Sequence, residues 1–195
     1  KAGNPFTDML QSFTGPNKPF SARTIVHFDG SFDSEFSFAP VDYSNPHNMA
    51  KIKWTGLKGT ASVNGPHQEA GLSFHAGGFS AQTTDSLVVV DGISGRFKGD
   101  FSSATGDATL AYKIERFVVE ESNKASVTKA DGFSFEAGSK TDSQRLTTVY
   151  VDSKINSVVV EGETYGPGQL RLDVRRLDAN VLEQIQKEAE KAQQE

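Results

Sequence analysis

The chain contains no cysteine. That excludes disulfides, thiolate metal centres and cysteine nucleophiles together, and leaves the redox compartment open. Long hydrophobic runs are also missing. The longest purely aliphatic stretch is Leu87–Val90, far short of the ~18 apolar residues of a membrane-spanning helix. There is no excess of positive charge: 20 Lys and Arg stand against 25 Asp and Glu, for a net charge of −5. A chain that wraps a polyanion carries the opposite balance, so neither nucleic acid nor an anionic membrane surface is expected as a partner. The chain opens on Lys1 rather than Met, and is expected to be an internal piece of a longer protein.

What is present is a strand vocabulary. Phe is abundant at 14 and Gly at 18, with many Val, Ser and Thr between them. In PFSARTIVHFDGSFDSEFSFAP, the residues Phe20, Ala22, Val26, Phe28, Phe32, Phe36 and Phe38 share one parity. A two-residue Asp29-Gly30 loop would scatter these rings over both faces. A three-residue loop, Phe28-Asp29-Gly30 with Gly30 left-handed, pairs Val26 with Phe32 and Phe20 with Phe38, and is the predicted register. From 50 to 119 short strand-like pieces alternate with glycine-rich punctuation. Thr55-Gly56-Leu57-Lys58-Gly59 and Asp91-Gly92-Ile93-Ser94-Gly95 resemble each other and read as turns of a meander. Asp131-Gly132 reads as another hairpin turn. GQLRLDVRRL alternates, with Leu170, Leu172 and Val174 expected inward.

Two amphipathic helices are expected at the ends. The first spans 5–14, with Asn4 as cap, Pro5 at the first position and a stripe of Phe6, Met9, Leu10 and Phe13 before Gly15-Pro16. The second spans 178–192, capped by Asp178, with Val181, Leu182, Ile185, Ala189 and Ala192 along one side. The expected architecture over 1–195 is thus a single α+β domain, predominantly β. An extended twisted antiparallel sheet over 20–177, a meander of hairpins, would carry a short helix near each end.

Candidate chemistry is sparse. Gly162, Gly166 and Gly168 in VVVEGETYGPGQLRLDV raise the idea of a phosphate loop. Such a loop needs a helix N-terminus after the glycines. Here an alternating strand follows, so Gly166-Pro167-Gly168 reads as a turn. The histidines are His27, His47, His67 and His75; His67, Glu69 and His75 match no metal spacing. Gly71-Leu72-Ser73-Phe74-His75 lacks the final glycine of a nucleophile elbow. The carboxylate pairs Asp33/Glu35 and Glu120/Glu121 sit on or at the end of strands. No catalytic, cofactor or metal site is expected. The remaining candidate is apolar: Phe20, Phe28, Phe32, Phe36, Phe38, Phe74, Phe79, Phe97 and Phe101 would line a concave sheet face, either as ordinary core beneath the two helices or, where two short helices leave the face partly uncovered, as an open trough.

Two stretches carry a resemblance. SVVVEGETYGPGQLRLDVRRLDANVLEQI, and upstream NPFTDMLQSFTG followed by PFSARTIVHFDGSFDSEFSFAPVDY, resemble the YdgA-like family of bacterial envelope proteins of unknown function. The resemblance implies a body in the periplasm of a Gram-negative bacterium, held by an inner-membrane anchor outside these residues, and it carries over no catalytic residue. The expected role is a non-enzymatic binding or scaffolding module. Its partner would be a lipid acyl chain on the phenylalanine face, or another envelope protein or a second copy at an open strand edge.

Overall fold

The computed structural model describes residues 19–44, 50–65, 68–100, 106–121, 126–181 and 184. Thirteen strands form one antiparallel sheet. They are β1 (Phe20–Val26), β2 (Phe32–Phe38), β3 (Val41–Ser44), β4 (Lys51–Trp54), β5 (Leu57–Asn64), β6 (Glu69–Gln82) and β7 (Ser86–Asp100). The rest are β8 (Ala108–Glu121), β9 (Ser126–Thr141), β10 (Leu146–Ile155), β11 (Ser157–Val160), β12 (Glu163–Tyr165) and β13 (Gly168–Asp178).

Four long strands, β6 to β9, make the centre. Each of them is flanked or continued in two tiers. In the lower tier the order is β1-β2-β5-β6-β7-β8-β9-β10-β13. In the upper tier β3 and β4 join the far half of β6, and β11 and β12 join the near half of β9. Nine strands at ~4.8 Å span roughly 38 Å, and the 15-residue β7 runs ~50 Å.

The tiers meet along a transverse line. Ala39, Gly56, Gly77, Gly92, Glu115, Gly132, Asn156 and Pro167 fall opposite one another, because the register on either side of each is unchanged. On the strands running one way the crossing needs a left-handed residue: Gly56 (φ 87), Gly92 (φ 62) and Gly132 (φ 66), with Gly166 (φ 115) at the end of the line. Thr55 seals one place, its Oγ1 accepting from the Gly78 N–H at 2.8 Å. This line shifts side-chain alternation by one residue. Phe38 pairs with Leu57, and Trp54 lies three residues further along, an odd step that would put it on the other face of a regular strand. The Phe38 and Trp54 rings are nevertheless 6.2 Å apart, on the same side. The apolar face of the lower tier therefore continues into the upper tier.

Several expectations change. The α+β reading gives way to a β architecture. β13 extends through Asp178, the expected first residue of the helix, which pairs with Leu146, and the described helical residues are 179–181 and 184. Asp178 both pairs with β10 and caps, its Oδ1 accepting from the Asn180 N–H at 2.8 Å, and the Ala179 N–H donates to the Arg145 carbonyl. The expected helix over 178–192 is thus not supported; most of its stripe, and the whole of the expected helix over 5–14, lie outside the described residues. Gly56, Gly92 and Gly132 do not reverse the chain but pass through the sheet, so SVTKADGFSFEAGS is one strand rather than a hairpin. Gly166-Pro167-Gly168 is likewise no reversal. The chain turns at Glu161-Gly162 (φ 53 and 85), the two left-handed residues of a type I′ turn. The β1–β2 hairpin has the predicted bulged loop: Val26 faces Phe32, Phe20 faces Phe38, and Gly30 has φ 83.

Candidate apolar face

Pairing register sorts the side chains of the lower tier into two faces. On one face a transverse row reads Ala22, Phe36, Gly59, Phe74, Gly95, Tyr112, Phe135, Ser153, Leu170. The next row reads Phe20, Phe38, Leu57, Ala76, Ile93, and a third runs Ala61, Leu72, Phe97, Leu110, Ala137, Val151, Leu172. The opposite face carries Ser21, Ser37, Lys58, His75, Ser94, Lys113, Ser134, Lys154 in one row and Arg23, Glu35, Thr60, Ser73, Arg96, Ala111, Glu136, Asp152, Arg171 in another. Strand after strand, the period-two pattern places grease on one side and hydrogen-bonding groups on the other.

The apolar face has a flat floor. A β-carbon at Gly59 would fall inside the ring of Phe36, and one at Gly95 inside the ring of Phe74. Each ring therefore lies down over the neighbouring strand's glycine instead of standing upright. Tyr112 and Phe133 meet edge to face, with centroids 5.8 Å apart. The Phe20 and Phe38 rings pack at 4.9 Å.

No second layer covers this floor among the described residues. Only Ala76, Val118 and Ala179 are buried hydrophobics there, with Thr147 the one buried polar side chain. Phe20, Leu110, Leu170 and Leu172 are about half exposed. Leu170, Leu172 and Val174, expected inward, do lie on the apolar face but stand open. Of the phenylalanines singled out in the sequence, Phe20, Phe32, Phe36, Phe38, Phe74 and Phe97 share the face. Phe79 lies beyond the transverse line, in the row of Trp54 and Val90. Phe28 sits in the β1–β2 loop, fully exposed, and Phe101 lies outside the described residues. Sequence reading missed Leu57, Leu110, Tyr112 and Phe135, whose only signal was parity within strands taken for shorter pieces.

Four open depressions of 350 to 610 Å³ lie between the upright side chains of the polar face, bordered by residues such as Arg23, Lys58, Arg96 and Glu136. Polar contacts there run both across and along strands: Tyr150 Oη donates to Glu136 at 3.0 Å, Gln169 Nε2 donates to Asp152 at 2.9 Å, and Arg171 Nε donates to Asp173 at 3.0 Å on β13 itself. The Gln169 amide holds the Asp152 carboxyl below its ordinary range, and the Arg171 guanidinium does the same for Asp173. His75 and Glu69 lie six residues apart on one strand, and His67 is not described. Asp33 and Glu35 are neighbours along β2, and no group of metal-binding side chains occurs among the described residues. No helix of the described residues is long and apolar enough to cross a membrane.

No curated protein and no solved structure matches this chain. A family model, bacterial protein of unknown function (DUF945), matches residues 3–195. The chain, with its broad two-faced sheet, belongs to that bacterial family.

Proposed function

We propose that this sheet is a non-enzymatic binding module whose ligand is the acyl chain of a lipid, laid along the apolar face. One observation carries the reading: a flat, continuous apolar surface across nine strands with no covering layer among the described residues. Apolar area left in water costs about 25 cal/mol per Å², so an expanse of this size requires a cover. Rings folded over Gly59 and Gly95 give a smooth bed rather than a socket for one side chain. Such a bed accepts a flexible hydrocarbon in many positions, and it selects for apolarity rather than for shape.

The resemblance to the YdgA-like envelope proteins supports the setting. An anchored periplasmic body of a Gram-negative bacterium would stand between two lipid reservoirs. Specific protein capture of the kind that uses deep pockets is not favoured by this surface.

The probe for the test is cis-parinaric acid, whose fluorescence rises on entering an apolar site. Titration into purified protein stripped of lipid should give saturable binding. Phe36→Asp and Phe74→Asp place a charge in the middle of the floor and should weaken it at least tenfold. Ser73→Asp, on the opposite face of the same strand, should leave it unchanged. Equal binding by all four proteins, or none by the wild type, defeats the lipid reading.

A further inference from the structure

The sheet has four outer edges among the described residues, and three of them are blunted. β3 has four residues and β12 three. β13 is longer but carries Arg171, Asp173, Arg175, Arg176 and Asp178, a left-handed Arg176 (φ 63) and a register shift against β10. Short length, charge and bulges are the devices that stop a strand edge from pairing with another chain. β1 has none of them. Its seven residues, FSARTIV, are all exposed and hold one charge, Arg23, and no described strand pairs with its outer side.

Hydrogen-bond phase fixes what β1 offers. The Ala39 N–H donates to the Pro19 carbonyl and the His27 N–H to the Ser31 carbonyl, so odd-numbered residues of β1 bond inward to β2. Phe20, Ala22, Thr24 and Val26 present their N–H and C=O groups outward, and their side chains lie on the apolar face. An added strand would therefore prolong that face as well as the ladder.

We propose that the partner is β1 of a second copy, antiparallel about a two-fold axis with Thr24 facing Thr24. A two-fold edge pairing must set an outward residue on an outward residue, or centre on the inward residue between two of them. Centring on Arg23 opposes two guanidinium groups. Centring on Ala22 sets Val26 beyond the second copy's β1. Centring on Thr24 brings Ala22 to Val26 and Phe20 to the neighbourhood of Phe28 of the second copy. It thereby covers Val26 and Phe28, at 74% and 115% the two most exposed large hydrophobics among the described residues. Arg23 then faces Ile25 rather than its own equivalent. A single strand pair buries less than the roughly 1,200 Å² of a standard interface, so the association depends on concentration. This pairing does not rest on lipid binding and is measured on lipid-stripped protein.

The absence of cysteine makes the test clean. Thr24→Cys should cross-link under mild oxidation at least tenfold faster than Arg23→Cys, the competing register, or Val174→Cys, on the opposite edge strand. Sedimentation equilibrium of the wild type should show the mass rising from one chain toward two with concentration. Thr24→Pro removes an outward backbone donor and, toward β2, only the 2.9 Å hydroxyl bond to Ser34, and should abolish that rise while keeping the circular dichroism of the fold. A single-chain mass at every concentration overturns the proposal, as does cross-linking at Thr24→Cys no faster than at Val174→Cys.

Discussion

Asp29-Gly30-Ser31 and Asp91-Gly92-Ile93-Ser94 look alike in sequence, and both glycines are left-handed, yet one reverses the chain and the other runs straight through a 15-residue strand. The partner of the aspartate separates them. Asp29 turns back on its own loop, its Oδ1 accepting from the Ser31 hydroxyl at 2.6 Å and the Ser31 N–H at 2.9 Å. Asp91 reaches sideways, accepting from Arg116 Nη2 at 2.6 Å and Nε at 2.9 Å on β8. A left-handed glycine is thus permissive rather than directive. A local side-chain bond makes it a corner, and pairing on both flanks makes it a step in the transverse line.

The widest test of that difference is to add a methyl group at each kind of glycine. At Gly56 a β-carbon would lie 2.7 Å from the Phe38 carbonyl oxygen and 3.1 Å from the Pro40 nitrogen, backbone atoms at the end of β2 and in the step from β2 to β3. Gly56→Ala carries the left-handed penalty and a backbone collision, and should cost about 3 kcal/mol or more. At Gly30 nothing lies within 4 Å. Gly30→Ala meets only the dihedral penalty, about 1 kcal/mol. Gly132 falls between, since its β-carbon would meet the movable Asn156 side chain. Urea unfolding of the three variants ranks them. Equal losses at Gly56 and Gly30 would mean that the transverse line is not held by close backbone approach.

Much of the fold was legible where a rule was local. The parity of Phe20 to Phe38 set the β1–β2 register, because only one loop length keeps every ring on one face. The apolar side of β13 was legible from Leu170, Leu172 and Val174 for the same reason. The lengths of β6, β7 and β9 were not. Their midpoints are Gly77, Gly92 and Gly132, and a sequence reader treats glycine as punctuation, whereas here neighbouring ladders carry the strand across. The start of the C-terminal element was legible only in part. Asp178 caps as its residue type suggests, its Oδ1 accepting from the Asn180 N–H, but the open side of β10 also carried β13 as far as Leu146. The apolar face was half legible: its phenylalanines announced themselves, while the aliphatic rows on the long strands depended on joining pieces that the glycines separated.

The flat floor permits a subtler probe of the same comparison, now with a glycine that lies in regular strand geometry. Gly95→Ala inserts a β-carbon where the Phe74 ring rests, so the ring must stand up. Overpacking of that kind should cost roughly 1–2 kcal/mol in unfolding by urea. It should also weaken parinaric acid binding several-fold, because the bed gains a ridge. Gly162→Ala, with open space around its β-carbon, should leave binding untouched. Undiminished binding by Gly95→Ala would show that the ligand does not lie across the β6–β7 part of the face.

The smallest expected effect concerns the corner itself. The Ser31 hydroxyl and N–H hold the Asp29 carboxyl below its ordinary value of 3.8. A depressed carboxyl stabilises the folded loop above 3.8, and that contribution is lost as pH falls through the folded-state value. The group is fully exposed, so the change is local rather than global. Following the Ser31 amide by NMR from neutral to acid pH should show a midpoint below 3.8. Ser31→Ala deletes the closer of the two donors, the hydroxyl at 2.6 Å, and should raise the midpoint toward 3.8, read at the residue 31 amide. An unchanged midpoint in that variant would separate the aspartate from the turn, and would leave the three-residue loop length, rather than the Asp29–Ser31 bond, as the reason this Asp-Gly reverses the chain while Asp91-Gly92 does not.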